Sequence, residues 1–209
     1  MDAVARFKNG HLLRLYGGPR TALIEQMCEK FAGIKTEELA EFDRFSERIR
    51  QLASYAIERK TLLYADAEQT FIQTAIESFG QQIAHELHHG DKVVLMNAFQ
   101  CYLKRMKNVL PMELKASQAF GFNLGIKQIR GAYMDEERKI AKNAGIESPV
   151  WDTIEDTHTC YNNNIRLLLK EMKPTDRIFF GSHNVASVEL LKSLLSGECL
   201  DKKPFIKIG

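Results

Sequence analysis

The chain has 209 residues, of which 44% are hydrophobic and 27% charged, enough apolar material to bury one core, so a single domain is expected. Its formal net charge is +2, from 29 basic and 27 acidic residues that are interleaved, and this does not indicate a nucleic-acid-binding protein. No apolar run approaches the ~20 residues that a transmembrane helix needs. Neither a secretory signal peptide nor an organelle presequence is visible at the N-terminus.

The chain contains four cysteines that are far apart and form no Cys-x-x-Cys pair: Cys28, Cys101, Cys160 and Cys199. Dispersed cysteines in a chain of this length are more typical of reduced thiols than of a disulfide framework. We therefore expect a reducing compartment.

Strand-like apolar runs alternate with amphipathic helical segments, an order that predicts a parallel sheet with crossover helices. The predicted strands are residues 11–16, 61–66, 92–97, 125–130, 177–182 and 204–208. The predicted helices are residues 21–31, 37–59, 69–88, 112–120, 135–143, 156–171 and 185–196. A closed barrel has eight strands and typically needs ~250 residues. The sequence therefore predicts an α/β fold that is either an open sheet or a barrel with its end missing.

Polar side chains follow four of the predicted strands, at the edge where parallel α/β proteins collect ligands and catalytic groups. Asp66 and Glu68 follow the second strand. Asp66 could cap the next helix, as aspartate often does, or it could face the barrel mouth and pair with a cation on a neighbouring strand. The local sequence leaves both interpretations open.

Two cations, Arg14 and Lys127, lie inside otherwise apolar strand segments. Burying an unpaired charge costs several kcal/mol, so each of them needs a partner, a ligand or a route to solvent. Lys127 and Arg130 are three positions apart, and strand alternation sends such residues to opposite faces. We therefore expect Lys127, and not Arg130, to point straight into the barrel lumen.

Two other strand ends carry weaker signals. Arg130 is followed by the small residues Gly131 and Ala132 and by Tyr133, which would let a ligand approach the backbone but is also typical of a tight turn. The segment 182–184 contains only hydrogen-bonding side chains, which could contact a ligand or cap the next helix.

The segment His85-Glu86-Leu87-His88-His89 matches the His-Glu-x-x-His pattern of zinc proteases. That chemistry needs a pocket and a third ligand, whereas this segment ends a predicted outer helix, and no downstream Gly-x-x-His follows it. Histidines also suit a helix C-terminus, where positive charge interacts favourably with the helix dipole. We expect no metal site there.

Taken together, the strand ends resemble the proline dehydrogenase family, flavoenzymes of proline breakdown, and the eukaryotic mitochondrial branch in particular. The matching segments fall in the family's order over roughly residues 45–195 and are jointly specific. They are residues 64–73 (YADAEQTFIQ), 97–104 (NAFQCYLK), 129–138 (IRGAYMDEER), 149–153 (PVWDT) and 181–184 (GSHN).

The resemblance implies that residues 1–209 form one incomplete (β/α)8 TIM-like barrel with FAD at the C-terminal ends of its strands. It implies hydride transfer from C5 of L-proline to the flavin N5 atom, which gives 1-pyrroline-5-carboxylate. It further implies that electrons pass to a membrane quinone and that the protein is mitochondrial, with no nucleic-acid partner.

The resemblance also implies roles for individual residues. Asp66 matches an aspartate near the flavin, and Lys127 lies where bacterial relatives place an arginine near N5. A cation there can stabilise the negative charge that grows on the reduced flavin. Arg14 matches, more loosely, a substrate-binding lysine on the first strand. The implied cofactor-binding residues are Ala67, Asn97 (where bacterial relatives place a glutamine toward the isoalloxazine), Arg130, Gly131, Ala132, Tyr133, Ser182 and His183.

The family grips the proline carboxylate with paired arginines on its last helix, a bidentate contact that orients a small carboxylate. The sequence ends at Gly209, before such a helix, so we expect a barrel that lacks its last strands and this clamp. Two alternatives stay open. One is a non-catalytic remnant that acts as a structural or interaction subunit, and the other is a hydroxyproline dehydrogenase.

Overall fold

The computed structural model describes residues 35–196 and 205–209, in which five parallel strands form one sheet in the order of the chain. The strands are β1 (Leu63–Ala65), β2 (Leu95–Gln100), β3 (Gly125–Ile129), β4 (Arg177–Phe180) and β5 (Phe205–Ile208). The helices are α1 (Thr36–Glu58), α2 (Thr70–Leu87), α3 (Met106–Phe120), α4 (Met134–Ala144), α5 (Ile154–Glu171) and α6 (Val185–Ser196). The predicted α/β arrangement is confirmed. The predicted strand 11–16 and helix 21–31 lie outside the described residues.

Helices cover one face of the sheet. Phe99, Ile126 and Phe180 point into a core that they share with residues of α3, α5 and α6. Successive strand residues point to opposite faces, so Lys127 and Phe179, which are register partners on β3 and β4, lie on the other face. We call that second face the inner face. On β1 to β4 its residues are Tyr64, Met96, Ala98, Gln100, Gly125, Lys127, Ile129, Arg177 and Phe179.

Helix α3 begins earlier than the predicted segment 112–120, because proline does not stop it. Pro111 lies inside the helix and removes one backbone hydrogen bond. The turn before it is anchored by Met106 and Leu110, both fully buried in the main core, and this packing offsets the loss. Within the described ranges, no helix has the length and apolar character needed to cross a bilayer.

Strand β2 lies further along the chain than the predicted 92–97, because the buried imidazole of His88 accepts hydrogen bonds from the backbone amides at the start of the strand. The Nε2 atom of His88 accepts hydrogen bonds from the amides of Val94 and Leu95, each at 3.1 Å. Its Nδ1 atom donates to the carbonyl oxygen of Asn123, also at 3.1 Å. His88 therefore joins α2, β2 and the segment before β3 at the N-terminal end of the sheet.

Acid should destabilise the fold through His88. Burial lowers the pKa of this imidazole from 6.5 to about 4. A proton on Nε2 would also face two N–H donors, the amides of Val94 and Leu95. The unfolded chain thus binds this proton more readily, so the stabilisation is complete above pH 6.5 and is lost as pH falls toward 4. The shift corresponds to about 3 kcal/mol in the free energy of unfolding. Urea titrations from pH 7 to pH 4 measure it.

The variant His88→Gln keeps a donor and an acceptor but cannot titrate, so its stability should fall less steeply over this range. The control is His85→Gln, which changes an exposed imidazole in the last turn of α2. Equal slopes for His88→Gln and wild type would contradict the assignment.

Candidate active site

An ion pair joins Lys127, in the middle of β3, to Asp66, which directly follows the C-terminal end of β1: Lys127 Nζ donates to Asp66 Oδ1. The Lys127 side chain is 21% exposed and that of Asp66 is 68% exposed. The ammonium also lies 5.9 Å from the centroid of the Tyr64 ring, which meets Phe179 edge to face at 6.2 Å. The lysine is thus oriented on the inner face by a carboxylate and bordered by two aromatic rings.

Asp66 does not cap helix α2, because another carboxylate occupies that position. The backbone amide and hydroxyl of Thr70 donate to the two oxygens of the Glu137 carboxylate, at 2.5 and 2.6 Å. The side-chain amide of Gln100 donates to the carbonyl oxygen of Glu68 at 2.8 Å and fixes the connecting loop. This decides between the two interpretations of Asp66: it is a partner of Lys127.

Arg130 lies just beyond β3 and joins the strand end to α5 and α6. Its guanidinium donates to the hydroxyls of Ser182 and Ser187, at 3.1 and 2.7 Å, and to His158 Nδ1 at 2.6 Å. Its carbon Cζ lies 4.6 Å from the centroid of the Tyr161 ring. Burial lowers the pKa of Arg130, although the group remains a cation at neutral pH. These contacts hold a partly desolvated cation at the C-terminal edge of the sheet.

The loop after Arg130 depends on a glycine. Gly131 has φ +134°, and a Cβ atom there would lie 2.0 Å from a ring carbon of Tyr102. The amide of Tyr102 donates to the carbonyl oxygen of Arg130 at 2.7 Å, so the two loops are in close contact. At the end of this loop, a hydrogen bond to Glu68 raises the pKa of Tyr133 and links it to the loop that carries Asp66.

The three polar residues after β4 have different positions. Asn184 Oδ1 accepts a hydrogen bond from the Ser187 amide at 2.9 Å and caps α6. Ser182 Oγ accepts from the amide of Asn184 at 3.1 Å, in addition to its contact with Arg130. His183 is exposed between them. The helix cap is therefore Asn184, and the His183 imidazole lies at the rim of the sheet.

Asn97 points toward α2 and away from the inner face. Its amide nitrogen donates to the carbonyl oxygen of Glu77 on α2 at 3.2 Å. It packs so closely on Gly80 that a Cβ at that glycine would lie 2.6 Å from Asn97 Nδ2. Strand alternation instead puts its neighbour Ala98 on the inner face, in register with Lys127.

Two further predicted positions, Ala67 and Ala132, lie in loops that follow strands. Ala67 is buried beside the ion pair, in the loop after β1, and Ala132 is exposed in the loop after Gly131. Arg14, the predicted substrate-binding residue, lies outside the described residues.

The His-Glu-x-x-His segment has structural contacts. Glu86 forms an ion pair with Arg50 of α1 at 2.6 Å, and this contact lowers the carboxylate pKa against the opposing effect of burial. His89 Nε2 lies 2.8 Å from the carbonyl oxygen of His85, and His88 binds backbone groups as described above. In residues 35–196 and 205–209, no three His, Cys, Asp or Glu side chains converge as metal ligands would.

The sequence reasoning missed several residues around the site. His158, Tyr161 and Asn162 of α5 lie at i, i+3 and i+4, a spacing that puts them on one helical face and could have revealed them. Tyr64 and Phe179 are each the last residue but one of their strands, β1 and β4, and only the folded sheet shows that their rings meet.

The sequence of the chain matches the family model described as proline dehydrogenase over residues 7–206. The chain belongs to the proline dehydrogenase family. It is 30% identical over 203 residues to "Proline dehydrogenase 1, mitochondrial" of Dictyostelium discoideum, covering 94% of this chain and 35% of that protein. It is also 30% identical over 171 residues to the human protein of the same name, covering 81% of this chain and 28% of that protein.

Solved structures of proline utilization A (PutA) are similar in fold to this member of the proline dehydrogenase family. The PutA of Bdellovibrio bacteriovorus superposes with a TM-score of 0.64 and 22% sequence identity, covering 74% of this chain and 16% of that one. At this identity the likeness shows the fold alone. The chain spans about a third of the length of the curated relatives that it matches.

Proposed function

We propose that this chain forms the flavin-binding part of a proline dehydrogenase that oxidises L-proline to 1-pyrroline-5-carboxylate with FAD. The observation that carries the proposal is the Lys127–Asp66 pair on the inner face, at the strand ends where α/β barrels hold their ligands. Membership of the proline dehydrogenase family supports the same reaction.

The chemistry of the side chains at these strand ends fits a flavin. The Tyr64 and Phe179 rings on the inner face offer apolar surface suited to a flat heterocycle. Lys127 and Arg130 provide two cations, which suit the anionic parts of FAD. Gly131 provides backbone without a side chain, which permits close approach.

FAD, when bound, would supply the hydride acceptor, its N5 atom, for the hydrogen at C5 of proline. Lys127 would stabilise the negative charge that the reduced cofactor gains, since a preoriented cation in a partly desolvated site needs little reorganisation. Asp66 would orient this ammonium through the observed ion pair. We assign cofactor binding to Ala67, Arg130, Gly131, Ala132, Tyr133, Ser182 and His183, and substrate binding to Arg14. Asn97 is left out because it points toward α2.

We further propose a mitochondrial location and a quinone as electron acceptor. The relatives named above carry the word mitochondrial in their names, which supports the location. A membrane quinone as electron acceptor would place the enzyme at a membrane surface. Activity assays with a soluble quinone analogue test whether a quinone accepts the electrons.

The direct test is to express this chain, record its visible absorption and add L-proline without oxygen. Flavin bands that L-proline bleaches and D-proline does not would support the proposal. Yellow protein that L-proline cannot reduce would contradict proline oxidation by this chain and favour the non-catalytic alternative. Colourless folded protein would contradict FAD binding. Faster bleaching by trans-4-hydroxy-L-proline than by L-proline would favour a hydroxyproline dehydrogenase.

A further inference from the structure

Cys101 and Cys160 lie close together behind the active site, and the proposed reaction gives neither of them a role. Cys101 follows β2 and Cys160 lies on α5, and both side chains are buried in the same core cluster. The side-chain nitrogen of Asn164 lies 3.6 Å from Cys101 Sγ and 3.9 Å from Cys160 Sγ. Both cysteines are free thiols in this structure. One amide thus contacts both sulfur atoms, so the two sulfurs are neighbours although the residues are far apart in the chain.

The two thiols differ in access to solvent. Cys160, with Asn164, lines a cleft of about 350 Å³ whose other wall includes Lys107 and Trp151. Cys101 has no exposed surface and lies behind Cys160. A small neutral oxidant could therefore reach Cys160 first, and Cys101 only through it.

The electrostatics of the pair agree with this order. The hydrogen bond from the Cys101 thiol lowers the pKa of Cys160, whereas burial raises the pKa of Cys101. The thiolate is the nucleophilic form of cysteine. Cys160 is thus the attacking thiol and Cys101 the resolving one.

We propose that Cys101 and Cys160 form a peroxide-sensitive modification site, in which hydrogen peroxide converts the two thiols into an intramolecular disulfide. The Cys160 thiolate attacks one peroxide oxygen, the O–O bond breaks, and Cys160 becomes a sulfenic acid as hydroxide leaves. The Cys101 sulfur then attacks the Cys160 sulfur, the S–O bond breaks, and the Cys101 proton leaves with the hydroxyl group as water. In total, two thiols and one peroxide give one disulfide and two waters.

The bond would lie directly beside the Arg130 contacts. The Cys101 amide donates to the carbonyl oxygen of Ile129 at 2.9 Å, one residue before Arg130. On the other side, Tyr161, which follows Cys160, stacks on the Arg130 guanidinium. A disulfide would therefore covalently join two segments that enclose this arginine.

The test uses the full chain with Cys28 and Cys199 changed to serine, so that the proposed pair supplies its only thiols. The protein is treated with hydrogen peroxide while folded, then denatured and labelled with N-ethylmaleimide, and its intact mass is measured. We expect labelling to fall from two adducts per chain to none, the monomer to lose two hydrogen atoms, and dithiothreitol to restore both adducts. Two adducts after oxidation, or added oxygen without a cross-link, would overturn the proposal.

Two variants in the same background test the order of reaction. With Cys101→Ser, peroxide should leave a Cys160 sulfenic acid that dimedone traps as one adduct. With Cys160→Ser, Cys101 should stay fully labelled after the same exposure, because the oxidant cannot reach it. The reverse pattern would overturn the assigned roles.

Peptide mapping of the oxidised wild-type chain serves as the second measurement, and it does not depend on whether the serine variants fold. A cross-linked peptide pair that contains Cys101 and Cys160 supports the proposal. A link from either residue to Cys28 or Cys199 contradicts it, as does the absence of any cross-link.

Discussion

Replacing Lys127 by methionine should slow the anaerobic bleaching of bound flavin by L-proline about 10²- to 10³-fold, the usual cost of removing one group that stabilises developing charge. Methionine keeps the length of the side chain but removes the cation that Asp66 orients on the inner face. Stopped-flow absorbance at the flavin band measures the rate at saturating proline. Flavin content, read from the resting spectrum, separates slow reduction from loss of the cofactor.

The matched control for this experiment is Lys192→Met, which removes a cation from an exposed ion pair with Glu189 on α6. The flavin of that variant should be reduced at the wild-type rate. The reduction rate of Asp66→Asn should lie between those of Lys127→Met and Lys192→Met, since the amide keeps a polar contact but no longer pairs with the ammonium charge. If L-proline reduced the flavin of Lys127→Met as fast as that of Lys192→Met, Lys127 would have no role in the reaction.

Replacing Gly131 by alanine should lower the free energy of unfolding by about 2–6 kcal/mol and abolish flavin retention. A φ of +134° is a conformation that residues with a side chain rarely adopt, at a cost of about 1–3 kcal/mol. The new methyl group would also lie 2.0 Å from the nearest ring carbon of Tyr102, and overpacking adds about 1–3 kcal/mol. Urea unfolding followed by circular dichroism measures the loss.

Gly145→Ala is the control, because Gly145 also has a positive φ, +64°, but nothing lies within 4 Å of its added Cβ. It should cost only about 1–2 kcal/mol, the penalty of a left-handed residue. Adding Tyr102→Ala to Gly131→Ala should recover the part of the loss that comes from the ring contact. Equal losses for the two glycine variants would show that the contact with Tyr102 carries no energy.

The order and approximate limits of the elements could be predicted from the sequence because short apolar runs alternate along the chain with longer amphipathic segments. The same reasoning predicted that Lys127 and Arg130 would diverge, and they do: one pairs with Asp66 on the inner face and the other contacts α5 and α6. The glycine stop of α4 was also predictable, since Gly145 adopts the left-handed conformation that ends a helix.

The direction of Asn97 could not be predicted, because every residue of β2 is buried and the strand shows no alternation of apolar and polar residues. Only the packing of Asn97 on Gly80 and its hydrogen bond to Glu77 fix its direction. The partners of Arg130 could not be predicted for another reason. His158 and Ser187 are distant in the chain, and both reach Arg130 only when α5 and α6 pack side by side.

The contact between Gly80 and Asn97 couples substitutions at the two positions. An alanine at position 80 would place its methyl carbon 2.6 Å from Asn97 Nδ2, so the Asn97 side chain would have to shift. Such a shift would weaken its hydrogen bond to the Glu77 carbonyl oxygen. A substitution at position 97 would therefore change the cost of a later substitution at position 80.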